Sequence, residues 1–192
     1  MTLPLIRETE VSVDPQLLDS VLSPYHRTET DYLKSACVGT FQPSKVPTIA
    51  ALTGSYSIPS SCYIDATGHF NAVELIICYN QLAYALFGHL VSTNALIDLP
   101  VGNRTEEADA ALRGMTFEKF RKHQLALMFI LKTNLAFRGF IEPSQFGGTV
   151  GIEKIFYRRK TFFITTHCNF FDDAGGNAGG EILLAYPTHL AD

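Results

Sequence analysis

The sequence predicts an α+β fold in which an antiparallel sheet wraps around one long central helix, all 192 residues forming a single domain. Two observations predict it. From Asn71 onward the apolar residues Val73, Ile76, Ile77, Tyr84 and Phe87 recur at helical spacing. The helix they form is apolar nearly all round, so it must be buried on most sides. Segments with a strand pattern flank it, two before and four after. With 46% apolar residues the chain can bury a full core, and no internal repeat or low-complexity tract divides it.

The elements follow in order. Asp14 to Leu22 reads as a short opening helix that stops near Pro24, leaving Tyr25 and His26 in a loop. Thr30 to Phe41 and Ile49 to Ile58 read as strands joined into a hairpin by the turn residues Gln42 to Pro47. After the long helix, the polar and Gly-Pro punctuation of Leu99 to Arg113 predicts a loop, and Thr116 caps a short helix to Lys122. Four strands close the chain: Gln124 to Phe137, Gly148 to Arg158, Thr161 to Phe171 and Glu181 to Tyr186. The apolar residues around Leu127 to Leu131 and the pairs Phe162-Phe163 and Phe170-Phe171 are expected in the core or along an apolar tunnel.

Charge and motif content exclude several classes. A formal charge of -4 argues against nucleic acid as a partner. Two short basic clusters, Arg121-Lys122-His123 and Arg158-Arg159-Lys160, read either as solvated ends of elements or as a docking point for an acidic carrier protein. Four scattered cysteines and an N-terminus without a hydrophobic signal region point to the cytoplasm. Phe70 to Val91 approaches membrane-spanning length but carries Glu74, Asn80, Gln81 and His89. One central charge costs roughly 2.5 to 3.5 kcal/mol on insertion, so this is a core helix and no membrane insertion is expected. No H-E-x-x-H, Cys/His cluster or EF-hand spacing appears, so neither metal nor cofactor is expected. The run Gly175 to Gly180 lacks the Lys-Ser/Thr of a phosphate loop and reads as a hairpin turn. Cys62 and Cys78 have no histidine partner at a telling spacing and read as buried free thiols.

The chemistry concentrates where the long helix begins. Gly68 breaks the preceding pattern, and His69, Asn71 and Glu74 crowd the first turn, where free backbone N–H groups and the helix dipole favour developing negative charge. Asn71 and the Tyr63 hydroxyl can donate hydrogen bonds to an oxyanion; the plain alternatives are a helix cap and a core strand tyrosine. His69 and Glu74 are the candidate bases, or else a histidine holding the turn and a carboxylate satisfying loop N–H groups. Asn71, Glu74, Cys78 and Gln81 share one helix face, a polar stripe that needs partners in a substrate channel or across a dimer interface.

The run from Thr67 to Tyr84, TGHFNAVELIICYNQLAY, closely resembles the matching segment of the FcoT family of hot-dog proteins. Looser matches occur in the same order: SPYH at Ser23 to His26, CYIDATGH before the helix, EKFRKHQLALM after it, and GGEILLAYP near the C-terminus. The resemblance implies a hot-dog fold and a homo-oligomer, a dimer or higher. It also implies an enzyme acting on fatty acyl thioesters carried by coenzyme A or an acyl carrier protein. Members are described as long-chain acyl-CoA thioesterases. They are also assigned a step of isonitrile lipopeptide biosynthesis, in which glycine adds to the β carbon of a (2E)-enoyl group on an acyl carrier protein and hydrolysis releases a 3-[(carboxymethyl)amino] fatty acid. The resemblance favours catalytic roles for Asn71, His69 and Glu74, and implies substrate contact for Tyr25, with Tyr63 and Gly68 beside the site. A hot-dog domain that binds an acyl chain without turning it over is the third reading.

Overall fold

A computed structural model describes residues 11–43, 47–64 and 68–190. The turn residues Ser44 to Val46, and Thr67 beside the site, lie outside them. Within the described residues the chain runs α1 (Pro15–His26), β1 (Leu33–Val38), β2 (Ala50–Tyr56), α2 (Ala72–Ser92), β3 (Val101–Gly102), α3 (Glu106–Arg113), α4 (Phe117–His123), β4 (Phe129–Phe137), β5 (Phe146–Arg158), β6 (Thr161–Phe171) and β7 (Asn177–Pro187). The strands form one sheet ordered β1-β2-β5-β6-β7-β4, antiparallel throughout except for the two-residue β3, which lies parallel to β5. The sheet curves around α2, the arrangement of a hot-dog fold.

Alternation sets the inner face. Along β6 the buried residues are Phe162, Ile164, Thr166, Cys168 and Phe170, and their odd-numbered neighbours are only half-buried. These inner residues meet α2, whose Leu75, Tyr79, Leu82, Ala85 and Leu86 are almost wholly buried. Sheet and helix pack closely at Gly54 of β2, where a Cβ would fall 2.5 Å from the Leu33 side chain and 3.2 Å from that of Leu82.

Several polar groups inside this core are paired. Thr166 Oγ1 donates to the Ile182 carbonyl at 2.9 Å, so the 2.6 Å contact between Tyr79 Oη and Thr166 Oγ1 must be donated by the tyrosine. Tyr56 Oη donates to the Cys78 carbonyl at 3.1 Å. Gln81, fully buried, donates to the Thr30 carbonyl and accepts from the Leu33 N–H at 2.9 Å. The polar stripe of α2 therefore ends, at Gln81, on the chain's own backbone just before β1, neither in a channel nor at a dimer interface.

Several expectations are corrected. The opening helix continues past Pro24 to His26 and places Tyr25 on the helix. A proline this near a helix end removes a single N–H donor, and Tyr25 packs against the core. Leu99 to Arg113 is not a loop throughout: Thr105 accepts from the Ala108 N–H and caps α3, which buries Ala108 and Leu112. The strand after α4 starts at Phe129 rather than Gln124, because Gln124 still caps α4 and donates its side chain to the Val21 carbonyl at 3.0 Å. Of the residues around Leu127 to Leu131, Leu127 is buried but Phe129, Ile130 and Leu131 are exposed. The last turn falls at 172–176, and the second half of the glycine run already belongs to β7.

That turn is held by Asp172, whose carboxylate accepts from the Gly176 N–H at 2.8 Å and the Glu142 N–H at 2.9 Å. Burial alone would raise its pKa, but backbone donors from Glu142, Gly176, Ala174 and Gly175 outweigh it and hold the carboxyl below its usual value of 3.8.

Two outcomes follow from these contacts. In Gln81→Leu the buried Leu33 N–H loses its partner, at about 1 to 3 kcal/mol, while the Thr30 carbonyl keeps the Tyr32 N–H, and the urea midpoint should fall accordingly. Because the Asp172 pKa is lowered on folding, its contribution is present above pH 3.8 and is lost as the pH falls through the lower, folded value. The stability difference between wild type and Asp172→Asn, followed by thermal melting, should be full near neutrality and shrink below about pH 4; a constant difference would refute the assignment.

Candidate functional site at the start of the central helix

Asn71 occupies the N-cap of α2 with extended backbone, and its Oδ1 accepts from the N–H groups of Val73 at 3.0 Å and Glu74 at 3.2 Å. Glu74 answers it: Oε2 accepts the Asn71 N–H at 3.2 Å, closing a reciprocal capping box. The Tyr63 hydroxyl donates a third hydrogen bond to the same Oδ1 at 3.1 Å. Three donors fix the orientation of the amide, and its Nδ2, buried, has no hydrogen-bond partner among the described residues. An unmatched buried donor costs about 1 to 3 kcal/mol, so its natural complement is an acceptor brought by a ligand.

The first-turn N–H groups of Val73 and Glu74 are thus committed to the cap. A buried side-chain donor left over at this helix end is the Asn71 amide, which is coupled through its carbonyl to Tyr63 and through the backbone to Glu74. Both plain alternatives for Asn71 and Glu74 are therefore present as structure: each caps the helix. Glu74 is 2% exposed, among the most buried carboxylates a soluble protein carries. Tyr63 is not a strand residue; it lies in an irregular segment and is 48% exposed.

His69 and Gly68 form the approach to the cap. Gly68 has φ of 74°, a left-handed conformation that glycine adopts without strain, and a Cβ there would meet nothing. His69 is exposed and lies against Phe140, with ring centroids 5.8 Å apart. Phe70, between them and Asn71, is wedged among Phe137, Phe146 and Phe170 and anchors the turn to the sheet. Outside it the rim is apolar and open: Ile64, Val73, Phe137 and Phe140 are all exposed.

Tyr25 sits on α1 beside Cys78 and Tyr84 of α2, and burial followed by those two neighbours pushes its phenol well above the usual value. One residue that sequence reasoning passed over does reach the site. Tyr32, almost fully buried ahead of β1, directs its hydroxyl to the Ser60 carbonyl at 3.4 Å and within hydrogen-bonding reach of Cys62. Its pKa is raised by burial first, then by Cys62 and by the Glu74 charge, which places its ring behind the capping box. Cys62, expected to be buried, is exposed, whereas Cys78 is fully buried and its thiol is pushed up by burial and by Glu74. No local sequence signal marks Tyr32, since its contacts lie 28 or more residues away in the chain.

Among the described residues no cluster of His, Cys, Asp and Glu could hold a metal ion. What the mouth offers is a fixed amide donor, a phenol, a buried carboxylate and an accessible imidazole around one helix end. Such a set can hold a carbonyl oxygen as it gains charge and move a proton nearby.

Comparison with known proteins gives the family. The model of the FcoT-like thioesterase domain matches residues 20–186. A protein named (2E)-enoyl-[ACP] glycyltransferase from Mycobacterium marinum is 34% identical over 91% of this chain and 86% of its own length. One of the same name from Streptomyces coeruleorubidus is 32% identical over 90% and 96%. Among solved structures, a thioesterase family protein from Silicibacter pomeroyi aligns with a TM-score of 0.42 and 14% identity over 89% of this chain and 98% of that one. The family assignment rests on the first two findings: the chain belongs to the FcoT-like thioesterase family.

Proposed function

We propose that this protein adds glycine to the β carbon of a (2E)-enoyl group carried by an acyl carrier protein and then releases the adduct by hydrolysis, a step in the assembly of isonitrile lipopeptides. The names of its relatives support the reaction, and one observation carries it to this chain: the buried, unpartnered Nδ2 of Asn71 at the mouth of α2.

In this reading the thioester oxygen accepts from Asn71 Nδ2. His69, exposed at the rim, takes a proton from the glycine ammonium, and the freed amine forms a bond to C3 of the enoyl group. The electron pair of the double bond moves to the thioester oxygen as an enolate, and C2 takes up a proton from the imidazolium. Water then attacks the same carbonyl, its oxyanion meets the same donor, and the C–S bond breaks to leave a 3-[(carboxymethyl)amino] fatty acid and the carrier thiol. Glu74 and Tyr63 position the amide. A thioesterase that uses water alone is the second reading, favoured by the description of the family model.

We also infer a homodimer joined through β4. This strand is the sheet edge, eight of its nine residues are exposed, and the apolar Phe129, Ile130, Leu131 and Phe137 stand on both its faces. An edge that is open and apolar on both faces invites pairing. Phe137 and Phe140 continue this surface to the rim of the site, so a second copy would cover the rim and complete an acyl channel. The four cysteines, free thiols in the structure, fit a cytoplasmic setting.

Four measurements test these readings. Mass spectrometry of the acid released from a (2E)-enoyl carrier protein with labelled glycine should find the label; unmodified enoic acid released without glycine would make the protein a thioesterase, and no turnover an acyl-chain binder. Asn71→Asp keeps a good cap but removes the amide donor, and kcat should fall about 10² to 10³-fold with the fold intact. His69→Ala should lose about 10² to 10⁴-fold while Glu74→Gln, which retains an acceptor for the Asn71 N–H, loses far less; the reverse ranking would make Glu74 the base. Leu131→Lys should shift the protein to a monomer in size-exclusion chromatography with light scattering, without unfolding it.

A further inference from the structure

The two basic clusters, 35 residues or more apart in sequence, converge in space at the end of β7. Thr188 donates from both its N–H and its hydroxyl to the Lys160 carbonyl, at 2.8 and 2.9 Å. Two residues earlier, Tyr186 Oη lies 2.7 Å from His123 Nδ1 of α4. Tyr186 and Thr188 also line a pocket of about 240 Å³ together with Lys119, Gly114 and Met115. Lys119 and Lys122 lie on α4, Arg113 ends α3 beside the lining residue Gly114, Arg158 ends β5, and Arg159 and Lys160 form the β5–β6 turn. Glu118 pairs with Lys122, Glu107 with Lys160 and Asp109 with Arg104, so on these segments Lys119, Arg113, Arg158 and Arg159 stand against Glu106 and positive charge predominates. Arg121 is not part of this ridge, because its guanidinium donates to the Ser20 and Ser23 hydroxyls of α1.

The ridge lies far from its own α2 mouth. Phe129, at the start of β4, pairs with Ala185 next to Tyr186, whereas Phe137, at its other end, touches Phe70 beside Asn71. Nine strand residues separate these ends by roughly 27 Å. A twofold axis normal to the sheet pairs two β4 edges antiparallel, and then the start of one β4 lies beside the end of the other. The basic ridge of one protomer thereby borders the site of its partner.

We propose that this ridge docks the acidic, phosphate-bearing surface of the acyl carrier protein and presents its thioester to the site of the partner subunit, an inference that rests on the dimer and on the carrier-borne substrate proposed above. The pocket beside Lys119 suits the phosphodiester of the pantetheine arm, and the surrounding charge suits acidic helices.

The test uses the full-length double variant Lys119→Glu/Arg159→Glu and two substrates, the (2E)-enoyl carrier protein and the same enoyl chain on N-acetylcysteamine, which has no carrier to dock. KM for the carrier substrate should rise at least about tenfold, within the range of electrostatic steering, and become less sensitive to salt, while the small thioester is turned over as by wild type. An unchanged KM for the carrier, or an equal loss on both substrates, would overturn the proposal. Heterodimers of this double variant with Asn71→Asp decide the geometry. If docking acts across the dimer, the intact site faces an intact ridge and the wild-type KM returns; if KM stays high, the trans arrangement is wrong. Should wild type turn over neither substrate, the catalytic reading fails by itself. The ridge is then judged by fluorescence anisotropy of labelled holo carrier protein, where weaker binding to the double variant supports it and equal binding overturns it.

Discussion

A helix of 21 residues that is apolar on almost every side has to be covered on every side, and most of this architecture answers that demand. The sheet bends around α2, with Gly54 yielding space where the two come closest. α1 and α4 pack on what the sheet leaves open and are tied together by Arg121, Ser20 and Ser23. Two polar side chains that α2 carries into this core find partners: Tyr79 on the sheet, Gln81 on the backbone at the start of β1. Burial fixes the helix axis, and these few hydrogen bonds fix its rotation about that axis.

The same constraint creates the site. An apolar helix can be buried only if its end groups are satisfied, and the capping box of Asn71 and Glu74 does this at the start of α2. Oδ1 is saturated by three donors, so Nδ2 is left as a rigid, buried donor without a mate. The helix end is thus stable and chemically incomplete in one atom, the preorganisation that oxyanion binding requires. Structural and catalytic accounts of Asn71 are not rivals here, since the cap is what aims the amide.

The sequence was legible wherever a pattern was local. The start of α2 follows from Asn71, and the β6 limits follow from the alternation of Thr161 to Phe171. α3 was hidden by the Gly-Pro signals just before it, although Thr105 is a good cap. Tyr32 could not be found, because its approach to Ser60 and Cys62 depends on how the hairpin folds back beside α2. Apolar composition likewise cannot separate Leu127, which is buried, from Leu131, which is 52% exposed; that difference is set by the place of β4 in the strand order. His69, Asn71 and Glu74 were visible as a group because they are neighbours in the chain, but their hydrogen bonds were not.

The strand order also governs how the protein is made. The hairpin β1–β2 is local and precedes α2, yet β2 pairs next with β5, so the rest of the sheet that covers α2 is synthesised after it. A long apolar helix therefore leaves the ribosome before its shelter is complete, and such non-local sheets close slowly. β4 joins the sheet only through β7, the last strand of all, so the edge proposed to meet a second copy cannot take its place until the end of the chain has been made.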